Sequence, residues 1–484
     1  MLTRLEAARS AHLRWCSISV KERVHRLRPL RRVLAARMDE FVATISSEMG
    51  KPPLDALSGD VMVVLEHLRW CEQNAARVLA PRRVGAPALL YTGCRFTEIE
   101  EPHGVALVLA PWNYPLQLSL IPATTALFAG NAVVLKCSEF TPKTAALIAD
   151  CAQQAGLPED VLSVTSGGAS EGAELLEAGP DLVFFTGSSR VGRIVAASAA
   201  QKLIPCVLEL GGKDACLIFA SAPFERAIEG ACYAAFSNAG QVCVGAKRIY
   251  VERSIFESFV ARFVERAKQL RIGSDLASDM GPIRIAPLRA SLTAWLEDAL
   301  ATGATLHTSF TASSESIGPL IFTNVAPQAL IRTDETFGPI VWIEPFNNEG
   351  DAVARANDSP FALGASVFSG DVAQSQRVVR RLLVGGVSLN DAIRQVGNPM
   401  APFGGNRSSG YGRYHGESGL RTFSRVKTTM EVRGSGTQER HWFPASTKTF
   451  RELRALLHMR HGRGSFVARV IELLRVALAG SRDV

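Results

Sequence analysis

The sequence predicts an α/β protein built on a parallel sheet. From Gly104 onward, apolar segments of strand length alternate with helical segments of roughly ten to fifteen residues, which is typical of βαβ units. The segments GVALVLAPW and AVVLKCSE are apolar at nearly every position, as expected for strands covered on both faces. With 484 residues, 47% of them hydrophobic, the chain is long enough for about two to four domains.

The individual elements follow from periodicity. Residues 1–90 are predicted to be mostly helical, and CRFTEIEEPHG then alternates like an exposed strand. The next strands are GVALVLAPW, AVVLKCSE, VLSVTSG, DLVFFTGS and PCVLEL, separated by the helices PLQLSLIPATTALFAGN, TPKTAALIADCAQQAGLP, SEGAELLEAG and SRVGRIVAASAAQ. A second α/β stretch runs from GGKDACLIFA to about Gly410, and RTFSRVKTTMEVRG is predicted to form a pair of strands.

Composition and charge disfavour several classes of protein. The start lacks the apolar run of a signal peptide, and no run of about 18 uncharged apolar residues predicts a spanning helix. Nine cysteines without CxxC or metal-ligand spacing predict a reducing, cytoplasmic compartment with neither disulfides nor a metal site. The net charge of +7 lies in the tail, because residues 440–484 hold nine Lys and Arg against three Asp and Glu. Nucleic-acid binding by the main body is therefore not expected.

Polar residues and glycines follow the predicted strands. They are Trp112 and Asn113 after the first strand, Lys136 and Glu139 after the second, Gly187, Ser188 and Gly192 after the fourth, and Glu209 at the end of the fifth. Each alone is more often a turn or a cap. Because the carboxyl ends of parallel strands share one edge, together they predict a cleft. The helix start after Gly187 suits an anionic cofactor, although the usual dinucleotide and P-loop fingerprints are absent.

Cys243 lies between Gly240 and Gly245 in SNAGQVCVGAKR. A lone cysteine is more often a small buried residue than a nucleophile. The nearby glycines do not distinguish a packed cysteine from a nucleophile, so both interpretations of Cys243 remain open.

The motifs PWNYP, LKCSE, FTGSSRVG, LELGGKD, GQVC, DETFGP and PFGGNRSSGYGR occur in the order and spacing of the aldehyde dehydrogenase superfamily. The chain resembles that superfamily over roughly residues 1–430. The resemblance implies oxidation of an aldehyde to the carboxylic acid through a cysteine thiohemiacetal and thioester, with NAD as cofactor and NADP as an option.

The resemblance also implies roles for individual residues. Cys243 corresponds to the nucleophile, Glu209 to the general base and Asn113 to the oxyanion-hole amide. The implied cofactor contacts are Lys136 and Glu139 at the adenosine ribose, Gly187, Ser188 and Gly192 at the pyrophosphate, Glu335 at the nicotinamide ribose, and Trp112, Leu210 and Phe337 beside them. A carboxylate at Glu139 favours NAD, because it repels a 2′-phosphate. The segment PFGGNRSSGYGR is expected to be a structural loop.

The resemblance implies a division into four parts. Residues 1–92 and 104–211 would form a doubly wound, Rossmann-like NAD(P)-binding domain, and 212–415 an α/β catalytic domain. Residues 93–103 and 416–434 would form a small β oligomerisation arm, so a homodimer or homotetramer is expected. Residues 435–484 would be a basic amphipathic extension.

Two finer expectations concern the C-terminal part. YHG and TFS resemble class 3 and fatty-aldehyde dehydrogenases, which favour medium- or long-chain aliphatic or aromatic aldehydes. The basic, apolar tail fits peripheral contact with a membrane. The alternatives are a helix that packs on a dimer partner and a poorly ordered tail. Competing functions are a catalytically silent scaffold protein and an esterase that uses Cys243 without hydride transfer.

Overall fold

The structure is a computed structural model that describes residues 2–87, 91, 93–158, 160–309, 316–433, 439 and 442–479. The chain divides into two compact units. The first comprises Met1–Arg82 and Ile99–Lys427, and the second comprises Arg83–Glu98 and Thr428–Val484. All the residues predicted to act in catalysis or cofactor binding belong to the first unit.

The helices of the described residues are bounded as follows. They are α1 Leu2–Ser17, α2 Val20–Ala36, α3 Met38–Met49, α4 Pro53–Asp55, α5 Met62–Val78, α6 Gln117–Ala129, α7 Pro142–Gln154, α8 Ala169–Glu177, α9 Ser189–Gln201, α10 Phe224–Phe236, α11 Phe256–Lys268, α12 Ala286–Ala301, α13 Leu330–Thr333, α14 Glu349–Asn357, α15 Val372–Arg381, α16 Gly416–Thr422, α17 Thr447–His461 and α18 Phe466–Ala479. A π-helical turn, Ala56–Val61, joins α4 to α5, and 3₁₀ turns lie at Ser237–Gly240, Arg253–Ile255 and Arg394–Gly397.

The strands are β1 Arg82–Val84, β2 Cys94–Pro102, β3 Val105–Leu109, β4 Ala132–Ser138, β5 Leu162–Gly167, β6 Leu182–Thr186, β7 Cys206–Glu209, β8 Asp214–Ile218, β9 Ala246–Glu252, β10 Thr305–Leu306, β11 Leu320–Thr323, β12 Ile340–Phe346, β13 Phe361–Ala362, β14 Gly364–Phe368, β15 Gly386–Leu389, β16 Asn406–Arg407, β17 Gly410–Tyr411 and β18 Ser424–Val432. Within the described residues, one sheet has the order β17-β7-β6-β3-β4-β5 and a second the order β10-β11-β12-β9-β8-β14-β15. A third has the order β1-β2-β18, and β13 pairs with β16.

The first sheet is covered by helices on both faces, as its apolar strands predict. Val105 and Leu107 pack with side chains of α1, α8 and α9. Ala106 and Val108 point to the opposite face and pack with side chains of α2, α5, α6 and α7. Strands β3 to β7 are parallel, so their carboxyl ends meet at one edge. The predicted doubly wound, Rossmann-like α/β fold is thereby confirmed.

The second sheet is also mainly parallel. Strands β11, β12, β9, β8, β14 and β15 run in the same direction, and β10 is antiparallel to β11. Strand β8 is buried along its whole length. The predicted strands from Gly104 to Glu209 all occur, and the assignment of the four predicted domains stays a proposal.

The C-terminal part differs from the predicted pair of strands. The described residues of RTFSRVKTTMEVRG form the end of helix α16 and one strand, β18, and Gly434 lies outside the described residues. Leu420 and Phe423 are fully buried in the core, which fixes this stretch as a helix before the chain becomes extended. From Arg425 to Val432 the strand is exposed.

Helices α17 and α18 of the second unit pack against each other. Nδ1 of His458 lies 3.0 Å from a carboxylate oxygen of Glu472, and Arg469 donates to the carbonyl of Gly462. Within the described part of the chain, no helix combines the length and the apolar character needed to cross a bilayer.

Candidate active site

Residues 237–243, which we call the Cys243 loop, lie between α10 and β9. Asn238, Ala239 and Gly240 all adopt left-handed backbone conformations, with φ of 48°, 54° and 70°. A side chain at Gly240 would collide with the carbonyl of Gly338, so only glycine fits there. This turn places Cys243 at the edge of a cavity.

Asn113 is buried, lies shortly after β3 and contacts the Cys243 loop. Its side-chain Nδ2 donates to the carbonyl oxygen of Gln241 at 3.1 Å, two residues before Cys243. An amide nitrogen carries two hydrogens, so one remains for a substrate oxygen. The oxyanion role that the sequence predicts for Asn113 is compatible with this position.

Glu209 ends β7 and is buried with both carboxylate oxygens lacking a hydrogen-bond partner among the described residues. Burial raises its pKa well above the usual range, and the guanidinium of Arg413 opposes that shift. An unpartnered buried carboxyl lowers the stability of the fold, and groups of this kind are found preferentially at functional sites. Both oxygens are therefore available to a water molecule.

A cavity of about 290 Å³ collects most of the predicted residues. Its lining includes the three predicted catalytic residues, Asn113, Glu209 and Cys243, and the predicted cofactor contacts Trp112, Gly187, Ser188, Leu210, Glu335 and Phe337. Segments that are distant in sequence therefore converge on one space. Pro111, Leu118, Thr186 and Gly211 also line it. Pro111, Thr186 and Gly211 lie within the PWNYP, FTGSSRVG and LELGGKD motifs, whereas no motif indicated Leu118.

The cavity has the features that a dinucleotide needs. Ser188 caps helix α9, its hydroxyl accepting from Val191 N at 3.4 Å, so the amino end of a 13-residue helix opens at the lining. Such an end favours phosphate groups. The rings of Trp112 and Phe337 meet edge to face at 5.6 Å. Glu335 accepts from Gly212 N at 3.3 Å through Oε1.

Three predicted cofactor residues lie outside the cavity lining. Lys136 donates from Nζ to the carbonyl of Gly167 at 2.6 Å, and Glu139 accepts from the hydroxyl of Ser138 at 3.1 Å. Lys136 lies near the carboxyl end of β4 and Glu139 directly follows this strand, which is the neighbour of β3, so both belong to the same sheet edge. Gly192 in α9 has no room for a side chain because Leu210 packs against its Cα.

Cys243 has a thiol whose pKa is raised above its usual range. Burial is the largest cause, and the carboxyls of Asp214, Glu335 and Glu209 act in the same direction. The cavity lining includes neither Lys nor Arg among the described residues. The protein by itself therefore holds Cys243 as a thiol.

The loop PFGGNRSSGYGR supports the site from the side, as the sequence predicts. Gly410 in β17 pairs with Glu209 in β7, and the hydroxyl of Ser409 donates to the carbonyl of Gly211 at 2.7 Å. The loop therefore fixes the strand that carries Glu209. Sequence reasoning missed Lys51 and Asp60, a buried ion pair beside Asn113.

Another missed residue, His415, allows a prediction about stability. Burial lowers its pKa to about 3, whereas an unfolded histidine titrates near 6.5. The unfolded state alone gains a proton below pH ~6.5, so this histidine costs stability as the pH falls. As the pH falls from 7.5 to 5, we expect the free energy of unfolding of the wild type to decrease by about 2 kcal/mol more than that of His415→Asn. Asparagine places a smaller polar side chain at this position that does not titrate in this pH range. Urea unfolding at both pH values measures the drop, and a difference independent of pH would contradict it.

The doubly wound sheet and the cavity that gathers a thiol, an amide, a carboxyl and a helix amino end define an α/β enzyme of the oxidoreductase class. The chain belongs to the aldehyde dehydrogenase family, whose model matches residues 3–429. It is therefore an oxidoreductase that acts on aldehydes.

Two relatives and two solved structures illustrate the match. The chain is 37% identical to a 4,4′-diapolycopene aldehyde oxidase of Methylomonas sp, over 96% of this chain and 88% of that one. It is 32% identical to the glutarate-semialdehyde dehydrogenase of Pseudomonas aeruginosa, over 87% and 88% of the two chains.

The structure is similar to betaine aldehyde dehydrogenase of Staphylococcus aureus in complex with NAD⁺, with a TM-score of 0.84 and 28% identity over 91% of this chain and 88% of that one. It is also similar to an NADP-dependent enzyme of E. coli, with a TM-score of 0.84 and 30% identity over 89% of each chain. One of these neighbours is a complex with NAD⁺ and the other is an NADP-dependent enzyme. The matches do not favour a catalytically silent scaffold protein. The resemblance to class 3 stays a prediction.

Proposed function

We propose that this protein oxidises an apolar aldehyde to its carboxylic acid with NAD as the preferred cofactor, through a covalent intermediate on Cys243. The observation that carries the proposal is the convergence of Cys243, Asn113 and Glu209 on one cavity. The helix α9 amino end, Glu335 and the aromatic pair would hold the dinucleotide. Glu139, after β4, favours the form without a 2′-phosphate.

The chain's own residues account for the steps at the substrate. The sulfur of Cys243 loses its proton and bonds to the carbonyl carbon, and the carbonyl electron pair moves to oxygen. The Asn113 amide donates to that oxygen, a contact worth about 3 to 4 kcal/mol of barrier. When bound, oxidised NAD supplies the hydride acceptor and a positive charge that opposes the raised pKa of Cys243. Once the substrate carbon has passed its hydride to that acceptor and the C=O bond has re-formed, Cys243 would hold a thioester. Glu209 then takes a proton from the water that attacks the thioester carbon, the C–S bond breaks, the acid leaves and the sulfur regains a proton.

The electrostatics of the cavity support an uncharged aldehyde. Glu209 and Glu335 line it, and its described lining offers no cation to pair with a carboxylate on the substrate. An aldehyde that carries a carboxylate would have to give up its hydration without gaining a cationic side chain as partner. The name of the Methylomonas relative gives a diapolycopene aldehyde as its substrate, which accords with a medium- or long-chain aliphatic or aromatic aldehyde.

A kinetic panel tests this substrate class. Hexanal, decanal, benzaldehyde and succinic semialdehyde are each assayed with NAD and with NADP. We expect kcat/KM for decanal to exceed that for succinic semialdehyde by at least about tenfold. The carboxylate of succinic semialdehyde would lose hydration without gaining a cationic partner from the cavity lining, which costs more than about 1.4 kcal/mol. Preference for succinic semialdehyde would refute the substrate class. Turnover of activated esters with no reduced cofactor from any aldehyde would establish the esterase alternative instead.

We further propose that the C-terminal helices contact a membrane surface from the cytoplasm. Phe450, Phe466, Val467 and Leu474 on α17 and α18 are more than half exposed. Residues 442–479 carry seven Lys and Arg against two Asp and Glu. Exposed apolar side chains among cations suit an anionic lipid interface.

Vesicle sedimentation tests the membrane contact. Vesicles containing phosphatidylglycerol are expected to pull down the full chain, and to lose it when residues 440–484 are removed or when Phe466 and Leu474 are both changed to serine. The matched control is Leu276→Ser, an exposed leucine of the first unit. Equal recovery of the full and shortened chains in the supernatant would end the proposal.

The exposed strand β18 supports a homodimer or homotetramer. It is an edge of the three-stranded sheet and leaves one row of backbone groups for pairing. Light scattering gives the mass in solution, and a monomer at micromolar concentration would contradict this assembly.

A further inference from the structure

A buried ion pair adjoins the predicted oxyanion site. Nζ of Lys51 lies 3.0 Å from Oδ2 of Asp60, and each side chain is at most 1% exposed. Two charges removed from water persist only when further hydrogen bonds compensate them. The partners that provide this compensation show what the pair holds.

The pair holds the chain segment that follows β3. Lys51 also donates from Nζ to the carbonyl oxygen of Asn113 at 2.8 Å. The other oxygen of Asp60 accepts from Leu116 N and Gln117 N, both at 3.1 Å, where helix α6 begins. The ion pair therefore fixes both ends of the turn that carries Asn113.

The carbonyl oxygen of Asn113 also accepts a hydrogen bond from the Cys243 loop. Nδ2 of Asn238 donates to the Asn113 oxygen at 3.0 Å and to the Gln241 oxygen at 3.2 Å. The Asn113 side chain in turn donates to Gln241. Asn238 has a left-handed backbone, a conformation that persists only when surrounding contacts hold it. The main chain of Asn113 is thus the common anchor of Lys51 and the Cys243 loop.

We infer that Lys51, held by Asp60, is a positioning residue that sets the Asn113 amide against Cys243 for the formation of the tetrahedral adduct. The inference rests on the proposed function. Without the ammonium group the Asn113 carbonyl keeps one donor instead of two, and the buried carboxylate of Asp60 loses its counter-charge. The peptide unit is then held by Asn238 alone and can shift, and a displacement of about 1 Å costs on the order of a hundredfold in rate.

Two reactions of the same thiol separate positioning from general structural support. In acylation by p-nitrophenyl acetate, the Cys243 sulfur bonds to the ester carbon, the C–O bond breaks, p-nitrophenolate leaves and the thiol proton goes to solvent. This reaction passes through an oxyanion. In alkylation by iodoacetamide the sulfur displaces iodide and no oxyanion forms. A loss of positioning slows the first reaction alone.

The experiment compares Lys51→Met with Arg23→Met, a change at another buried cation, which lies in helix α2. We expect Lys51→Met to slow acylation by 10- to 100-fold and alkylation by less than twofold, and Arg23→Met to leave both rates within twofold. In an Asn113→Ala background, Lys51→Met should slow acylation no further than about twofold, because the amide it positions is gone. If Lys51→Met fails to fold, Asp60→Asn is measured in the same way.

Equal slowing of both reactions, or full slowing in the Asn113→Ala background, would overturn the inference. Neither reaction needs an aldehyde or a dinucleotide. If the wild type reduces no NAD with any aldehyde, the proposed function fails while these two rates still decide the role of Lys51.

Discussion

Cys243→Ala is expected to lower the rate of NADH formation by at least about 10⁴-fold, because Cys243 carries the one thiol in the described cavity lining and a thiol is a far stronger nucleophile than the hydroxyls beside it. The affinity for NAD should change by less than twofold, since alanine keeps the Cβ and removes no contact to the predicted cofactor residues. Progress curves measure the rate, and quenching of tryptophan fluorescence measures the affinity.

Cys232→Ala is the matched control. This cysteine is buried in α10 and lies outside the cavity lining, so its loss should leave kcat within about threefold. A Cys243→Ala variant that keeps more than 1% of the activity would show that the sulfur is not the nucleophile.

Glu209→Gln is expected to separate the two halves of the reaction. Glutamine keeps the shape of the side chain but cannot take a proton from water, so hydrolysis of the thioester slows by about 10²- to 10⁴-fold. One equivalent of NADH should appear in a fast burst, followed by a slow steady state. Stopped-flow absorbance records the burst, and mass spectrometry detects the acyl group on Cys243.

Glu177→Gln, a change at an exposed carboxyl paired with Lys202, should leave the progress curve unaltered. If Glu209→Gln turns over at the wild-type rate without a burst, another group serves as the base. Since burial raises the pKa of Glu209, the steady-state rate of the wild type should rise with pH as this carboxyl loses its proton. The variant should lack that rise.

The strands and the cleft could be predicted because both depend on short-range patterns. Val105–Leu109 is apolar throughout, and that property alone places it between two layers of helices. Asn113, Lys136, Gly187 and Glu209 each lie at or just beyond the carboxyl end of a strand, so the parallel sheet brings them to one edge. Such inferences need only the direction of the strands and the period of the side chains.

Contacts between segments far apart in the chain could not be predicted. Lys51 lies in a Gly-Lys-Pro-Pro sequence that indicates only the end of a helix, and nothing local shows that its ammonium group meets Asp60 and Asn113. The unpartnered oxygens of Glu209 and the pKa of His415 depend on complete burial, which only the assembled core defines. Helix α16 replaced a predicted strand because Leu420 and Phe423 fill the core.

The pairing of β17 with β7 has a consequence for biosynthesis. The outer strand beside Glu209 comes from residue 410, about two hundred positions later in the chain. A nascent chain of four hundred residues contains Cys243 and Asn113. It still lacks strand β17, which pairs with the strand that carries Glu209. Nascent chains are therefore expected to remain inert toward aldehydes until the residues around Gly410 have been synthesised and have folded.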